Sequence, residues 1–246
     1  MLTLAQLHGQ PEIFHSIQGE GVSQGTPCVF LRLAGCNLAC SWCDTAYSWN
    51  GTVPGVRLTP EKAAELALRY PCRRLVLTGG EPLIQQKALP ALLRLLPDHA
   101  VELETNGTIM PDAELLERIT QFNVSPKLPH SGNETARTWK PDVLRRLAST
   151  EKAWFKFVVA CEEDVKTALR QASGADIPAE RILLMPLAST RAELDAMRAH
   201  YSWREIQGDT QKAALLRTER TGDVLGDDPF ATFAAHPHPG VVAVAA

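Results

Sequence analysis

The sequence lacks a charge excess of either sign. Its 246 residues include 25 lysines and arginines and 28 aspartates and glutamates, which gives a formal net charge of −3. Binding to a phosphate backbone depends on a surplus of basic side chains. Nucleic acid is therefore not an expected partner.

Long apolar runs are also missing. No stretch approaches the roughly 18–20 apolar residues that cross a bilayer. The N-terminal residues show no basic segment followed by an apolar one, which is the pattern of a signal peptide. We therefore expect no membrane partner and a cytoplasmic location.

Cysteine is scarce, yet three of the six cysteines lie within the eight positions 36–43. Thiols stay reduced in the cytoplasm, where clustered cysteines more often bind a metal or take part in catalysis than form disulfides. The hydrophobic fraction of 45% and the charged fraction of 22% are those of a globular protein with a sizeable core.

Short apolar runs alternate with helix-like segments along most of the chain. Strands are predicted at 28–34, 74–78, 100–105, 122–125, 154–160 and 181–186, and a segment with apolar residues at helical spacing follows each of them. Such alternation predicts six parallel strands joined by right-handed crossovers. An open doubly wound sheet, a complete barrel and a partial barrel all fit this α/β pattern.

Five unusual loops begin at or just past predicted strand ends: the cysteine loop, "TGGEP" (78–82), "ETNGT" (104–108), "SPK" (125–127) and "MPLAS" (185–189). Ligands bind at the carboxyl ends of parallel strands, so these loops are expected to meet at one rim. The regular pattern covers residues 1–201. Residues 202–246 break it and are predicted to form an atypical, partly disordered C-terminal extension.

Cys36, Cys40 and Cys43 form a C-x3-C-x2-C pattern. Three buried thiols, a zinc site and a [4Fe–4S] cluster are alternative interpretations. Structural zinc takes four ligands, and here a fourth would have to come from a distant residue such as Cys28 or His15. Three thiolates on one loop can bind three irons of a four-iron cluster and leave one iron open. An open coordination site favours chemistry over a structural role.

This cysteine spacing, with Trp42 before the last cysteine, resembles the signature of the radical S-adenosylmethionine (SAM) enzymes. The resemblance implies a partial (β/α)6 TIM-like barrel whose cluster loop follows the first strand. It also implies that the open iron binds SAM, and that electron transfer then releases a 5′-deoxyadenosyl radical. A reducing partner such as flavodoxin or ferredoxin is expected for that step.

Longer stretches narrow the resemblance: "QGEG" (18–21), "CDT" (43–45), "TGGEP", "ETNGT", "VSPK" and "KFVV", in this order and spacing. They are similar to the radical SAM lyases that convert 6-carboxy-5,6,7,8-tetrahydropterin to 7-carboxy-7-deazaguanine, with loss of ammonia, in queuosine and deazapurine biosynthesis. Those enzymes use Mg²⁺ and are homodimers. The radical forms at cluster-bound SAM, so no separate catalytic side chain is predicted.

The resemblance implies roles for individual residues. The expected substrate contacts are Ile17, Gln18, Gly19, Arg32 and Thr78. The expected SAM contacts are Trp42, Cys43, Asp44, Gly80, Ser125, Pro126, Lys127, Met185, Pro186, Leu187 and Ala188. The expected metal ligands are Cys36, Cys40 and Cys43 for the [4Fe–4S] cluster and Thr45 for Mg²⁺.

Two other functions remain as alternatives: a radical SAM activase of a glycyl-radical enzyme, and a non-catalytic zinc-binding module. The stretch after about residue 200 does not match the short closing segment of the lyases. A diverged closing element, a changed substrate and an altered downstream sequence are all compatible with that difference.

Overall fold

The computed structural model describes residues 1–188 and 190–200. The predicted extension 202–246, and with it the predicted domain boundary, lies outside these residues. The strands are β1 (Leu2–Leu4), β2 (Gln6–Leu7), β3 (Gln10–Pro11), β4 (Ile13–Ile17), β5 (Pro27–Leu33), β6 (Val56–Leu58), β7 (Arg74–Gly79), β8 (Ala100–Thr105), β9 (Gln121–Val124), β10 (Ala153–Val159) and β11 (Ile182–Pro186). The α-helices are α1 (Pro60–Ala67), α2 (Leu89–Arg94), α3 (Ala113–Arg118), α4 (Thr135–Thr138), α5 (Pro141–Ala148), α6 (Glu162–Gly174) and α7 (Arg191–His200).

Six parallel strands form the centre of the fold, in the spatial order β5, β7, β8, β9, β10, β11. These are the six predicted strands, each displaced by at most one residue at either end, and a predicted helical segment follows each of them. Within the described residues the strand order does not close into a ring. The architecture is the expected partial barrel of the (β/α)6 type.

Three antiparallel strands extend this sheet and were not predicted. The β4 strand pairs with β5, and β1 pairs with both β5 and β6. A small separate hairpin is formed by β2 and β3. Through these pairings, β1 and β4, which both precede the cysteine loop in the chain, lie beside β5, the first strand of the barrel.

The two faces of the parallel sheet differ sharply. On the outer face, alternate residues such as Leu31, Leu77 and Phe155 are fully buried and belong to one apolar core beneath the helices. Since successive strand side chains point to opposite faces, the residues between them face the inside of the barrel. Several of these are polar or charged: Arg32, Thr78, Glu102, Glu104, Gln121, Asn123 and Lys156. Burying the outer residues drives folding, and the inner row is available for function.

Side-chain hydrogen bonds to backbone amides cap the starts of two helices. The Thr59 hydroxyl accepts a hydrogen bond from the Lys62 amide at 3.2 Å, which caps α1 before Pro60. At the start of α6, the Asp164 carboxylate accepts from the Ala160 amide at 2.8 Å. In the part of the chain that the structure describes, no helix is both long and apolar enough to span a membrane.

Candidate active site

The cysteine loop leaves the end of β5 and folds back on itself, with the Gly35 amide donating to the Ser48 carbonyl at 2.8 Å. All three of its thiols are partly buried. Each sulfur accepts one N–H hydrogen bond: Cys36 Sγ from the Leu38 amide at 3.4 Å, Cys40 Sγ from Asn133 Nδ2 at 3.3 Å, and Cys43 Sγ from Trp49 Nε1 at 3.2 Å. Such donors stabilise the thiolate form that a metal requires.

The donor set fits an iron–sulfur cluster. Burial raises the pKa of both Cys36 and Cys40, so iron must displace their protons on binding. Residues 1–188 and 190–200 contain no group of three or more His, Cys, Asp or Glu side chains placed to hold a metal ion. A four-iron cluster does not need such convergence, because each thiolate ligand binds a different iron.

The "TGGEP" loop lies directly against the cysteine loop. Gly79 has a φ of +137°, and a Cβ there would lie 2.0 Å from the Leu33 carbonyl oxygen. At Gly80 a Cβ would lie 2.1 Å from the Gly35 carbonyl oxygen and 2.9 Å from Cys36 Cβ. Glycine is therefore required at both positions, at Gly79 by the Leu33 backbone and at Gly80 by the backbone of Gly35, the residue beside the first thiol.

A buried carboxylate joins this loop to the next one. Glu81 has no exposed surface, and it accepts hydrogen bonds from Thr105 Oγ1 at 2.9 Å and from the Asn106 amide at 2.7 Å. Asn106 Nδ2 in turn donates to Asn37 Oδ1 at 2.9 Å, and Asn37 donates to Thr108 at 2.8 Å. The sequence assigned no role to "ETNGT"; in the structure it holds the cysteine loop in place.

The "SPK" loop brings a cation to the same region. The Lys127 ammonium donates to Ser125 Oγ at 2.9 Å and lies 5.2 Å from the centroid of the Trp42 ring. Burial lowers the pKa of Lys127. The His130 ring also stacks on the Trp42 ring, with the two ring centroids 5.7 Å apart. Three residues expected to contact SAM, Trp42, Ser125 and Lys127, are thus brought together beside the thiols.

Below the cysteine loop, polar residues of the inner face converge on Glu104. Its carboxylate accepts from Gln18 Nε2 at 3.1 Å and from Thr78 Oγ1 at 2.6 Å. Gln18 and Thr78 are both predicted substrate contacts, and they therefore share one acceptor. Arg32, another predicted contact, bonds instead to buried Glu12 at 3.3 Å.

Glu12 is further held by Tyr47, whose hydroxyl lies 2.9 Å from both of its carboxylate oxygens. Burial raises the pKa of Tyr47 to about 12, so the phenol stays protonated and donates. Because Tyr47 follows Thr45 in the cysteine loop, this bond couples the loop to the Arg32 side chain. Thr45 Oγ1 lies 3.7 Å from Cys43 Sγ.

A small cavity opens on the inner face, lined by Glu20, Gly21, Glu104, Asn123, Trp154, Lys156 and Leu183. The Lys156 ammonium forms an ion pair with Glu20. It lowers the pKa of Glu20, and although burial alone lowers the pKa of Lys156, Glu20 and Glu104 raise it above its usual value. Both members of the pair are therefore charged at neutral pH.

None of these lining residues was assigned a role from the sequence. Glu104 and Lys156 could have been recognised from the sequence as candidate site residues, since each is a charged residue at an inward position of a strand that is otherwise mostly apolar. Of the other predicted residues, Ile17 is 37% exposed at the end of β4. The last stretch predicted to bind SAM, residues 185–188, begins within β11 and continues past its end. Its Leu187 amide donates to the Val159 carbonyl at 2.8 Å.

The partial barrel and its three-thiol loop define a class of protein, and the family model "Radical SAM superfamily" matches residues 31–189. A 7-carboxy-7-deazaguanine synthase from Pyrobaculum aerophilum is 42% identical over 189 residues, which cover 74% of this chain and 80% of that protein. A 7-carboxy-7-deazaguanine synthase from Hyperthermus butylicus is 40% identical over 190 residues, which cover 74% and 78%.

Among solved structures, the crystal structure of QueE from Escherichia coli is similar, with a TM-score of 0.59 and 26% sequence identity. The similarity covers 81% of this chain and 90% of that one. Within the radical SAM class, the chain belongs to the 7-carboxy-7-deazaguanine synthase family.

Proposed function

We propose that the chain is a radical SAM lyase that converts 6-carboxy-5,6,7,8-tetrahydropterin to 7-carboxy-7-deazaguanine with loss of ammonia. The observation that carries the proposal is spatial. A loop of three hydrogen-bonded thiols lies at the carboxyl end of a parallel sheet, above a small inner cavity that holds two carboxylates and an ammonium group. Membership of the synthase family supports the choice of reaction.

Cys36, Cys40 and Cys43 would hold a [4Fe–4S] cluster, with SAM at its open iron. When bound, this group supplies a 5′-deoxyadenosyl radical that abstracts a hydrogen atom from the substrate. Around it we assign the predicted SAM contacts Trp42, Asp44, Gly80, Ser125, Pro126, Lys127, Met185, Pro186, Leu187 and Ala188. The close approach of Gly80 to Cys36 supports this assignment, because it leaves backbone rather than a side chain beside the thiols.

Substrate recognition follows from the chemistry of a pterin edge. Its amino group and ring N–H present two parallel donors, and a carboxylate accepts such a pair in a bidentate manner. Glu104 is the partly buried acceptor that now binds Gln18 and Thr78. We infer that the pterin edge engages Glu104, while Lys156 donates to a substrate oxygen and the Trp154 ring packs on the pterin plane. Ile17 and Gly19 would flank this plane.

Mg²⁺ would neutralise the substrate carboxylate, with Thr45 as its protein ligand. Mg²⁺ commonly binds few protein ligands and completes its shell with water and substrate oxygens. Arg32 would add a positive charge to the same carboxylate side, and the Glu12–Tyr47 contact fixes its orientation. The protein's own contribution is to place the substrate and to exclude water.

Three further features complete the proposal. Residues 1–201 would form the catalytic domain, and 202–246 an extension to it. The enzyme would act as a homodimer, and a flavodoxin or ferredoxin would supply the electron.

The test is an anaerobic assay of the full chain after reconstitution with iron and sulfide. SAM, Mg²⁺, a reductant and the carboxytetrahydropterin are added, and 7-carboxy-7-deazaguanine is sought by mass spectrometry. About four irons and four sulfides per chain, together with product, are expected. An intact, reducible cluster without product contradicts the proposal. SAM cleavage with radical transfer to a partner protein would indicate an activase, and one zinc per chain would indicate the binding module.

A further inference from the structure

Two of the three thiol hydrogen bonds come from side chains that lie outside the cysteine motif. Trp49 Nε1 donates to Cys43 Sγ at 3.2 Å, and Asn133 Nδ2 donates to Cys40 Sγ at 3.3 Å. The third donor, at Cys36, is the Leu38 backbone amide, which almost any residue would provide. Of the three hydrogen bonds, only the two from side chains therefore depend on which residues occupy positions 49 and 133.

The orientation of the Asn133 amide is fixed by a second contact. Its oxygen accepts from the Ala39 amide at 2.9 Å, which leaves only the NH₂ group to face Cys40. This NH₂ group also lies 3.2 Å from Ser131 Oγ. Asn133 stands 93 residues from Cys40 in the sequence, so the contact depends on how the loop after β9 packs against the cysteine loop.

Trp49 reaches its sulfur from within the loop itself, just after the short 3-10 turn Ala46–Ser48. A second tryptophan provides a direct contrast. Trp42 immediately precedes Cys43, yet its buried Nε1 has no hydrogen-bond partner among the residues that the structure describes. The two indoles lie on the same loop, and one of them binds a sulfur while the other does not.

Hydrogen bonds to the sulfur ligands of an iron–sulfur cluster help to set its reduction potential. Reduction adds one electron to the cluster without making or breaking a bond, and the added negative charge is shared with the sulfurs. An N–H donor stabilises that charge more in the reduced than in the oxidised state.

We propose that Trp49 and Asn133 are positioning residues that raise the reduction potential of the cluster through Cys43 and Cys40. This inference rests on the proposed function only in requiring a four-iron cluster on these thiols. It does not depend on the identity of the substrate.

The test is a redox titration of the reconstituted full chain, without SAM or substrate, in which electron paramagnetic resonance measures the reduced fraction. The variant W49F keeps an aromatic ring and removes the donor. At a fixed ambient potential its ratio of reduced to oxidised cluster should fall about tenfold, which corresponds to a midpoint about 59 mV more negative for one electron.

The matched control is W42F, which makes the same replacement seven residues closer to Cys36 and Cys40 in the sequence. It removes an N–H that binds no sulfur, so its midpoint should equal that of the unaltered chain. N133D keeps the acceptor for the Ala39 amide, removes the donor and adds a negative charge. It should therefore lower the midpoint further than W49F. Equal midpoints for W49F, W42F and the unaltered chain would overturn the proposal.

A measurement on the unaltered chain covers the case in which W49F does not retain iron. With ¹⁵N-labelled tryptophan, pulsed electron paramagnetic resonance of the reduced cluster should detect coupling to one indole nitrogen. Absence of that coupling overturns the role of Trp49. Product formation by the unaltered chain is measured separately, after SAM, Mg²⁺, reductant and the pterin are added. A lowered W49F midpoint with no product from the unaltered chain contradicts only the proposed function, whereas product from the unaltered chain with an unchanged W49F midpoint contradicts only this inference.

Discussion

Glu104 shows how a single residue can define the substrate side of the site. It is the acceptor for two of the five residues expected to bind substrate, and those bonds join β8 to the strand before it and to the loop after β4. Both donors are neutral, so a substrate with two N–H groups could displace them without leaving the partly buried Glu104 charge unpaired.

The variant E104Q should lower kcat/KM for the pterin about 10- to 100-fold. Hydrogen bonds to a charged acceptor contribute about 1.5–3 kcal/mol, and about 1.4 kcal/mol corresponds to a factor of ten. Iron content should not change, because Glu104 is not among the residues assigned to the cluster. Steady-state kinetics with varied pterin would measure the effect. The control is E114Q, which alters only an exposed ion pair with Arg94. A kcat/KM that is the same for both variants would argue against Glu104 as the pterin acceptor.

Arg74 forms an ion pair with the fully buried Glu102. Replacing Arg74 with methionine would leave the Glu102 charge with Asn123 as its remaining hydrogen-bond donor. Removing one partner of a buried pair typically costs about 3–5 kcal/mol; because the Arg74 side chain is 32% exposed, we expect a loss at the lower end of that range. Denaturant unfolding should show the loss, and the double variant R74M/E102Q should recover much of it. A single variant as stable as the unaltered chain would show that water already solvates Glu102.

The cysteine and "TGGEP" loops approach each other too closely to leave room for a side chain at Gly80. G80A would force a Cβ to within 2.1 Å of the Gly35 carbonyl oxygen, so one of the two loops must move. We expect the variant to fold but to retain clearly less iron after reconstitution. Iron and sulfide analysis checks this. In the control G174A the new Cβ meets only the Trp139 ring at 3.5 Å, an ordinary contact, and iron content should be normal. Full iron content in G80A would mean that the loops do not need this approach.

The six parallel strands could be predicted from sequence, whereas the short antiparallel strands could not. Strands β5 and β7–β11 were located to within one residue because each is an apolar run between clear turn signals, and burial on the helix side enforces that pattern. The strands β1 and β6 are only three residues long, and they pair across more than fifty positions of sequence. Periodicity has too few residues there to give a signal.

The residues assigned to the cluster, to SAM and to the substrate all lie before position 189 of the chain. A chain ending at residue 200 should therefore bind four irons and cleave SAM as the full chain does. Iron analysis and the yield of 5′-deoxyadenosine would test this. Comparison of pterin turnover between the two chains then measures what residues 201–246 contribute. Loss of iron from the shorter chain would contradict the expected domain boundary.

Most of the proposed site could be predicted from sequence because its loops follow the ends of consecutive strands, and sheet order alone brings those loops together. The charged residues of the cavity could not be assigned in the same way. Glu20 and Lys156 are 136 residues apart in sequence, and the pattern of neither segment indicates the other. Asn133 was missed for the same reason, because its contact with Cys40 depends on packing between two loops.

The buried Glu81 has a consequence for how the site opens. Its carboxylate holds the amides of Leu83 and Asn106, and its own amide donates to the Gly35 carbonyl at 2.9 Å. Segments linked in this way tend to unfold as one cooperative unit. In native-state hydrogen–deuterium exchange, the amides of Glu81, Leu83 and Asn106 should thus become exposed in a single event, and iron binding should slow all three by the same factor.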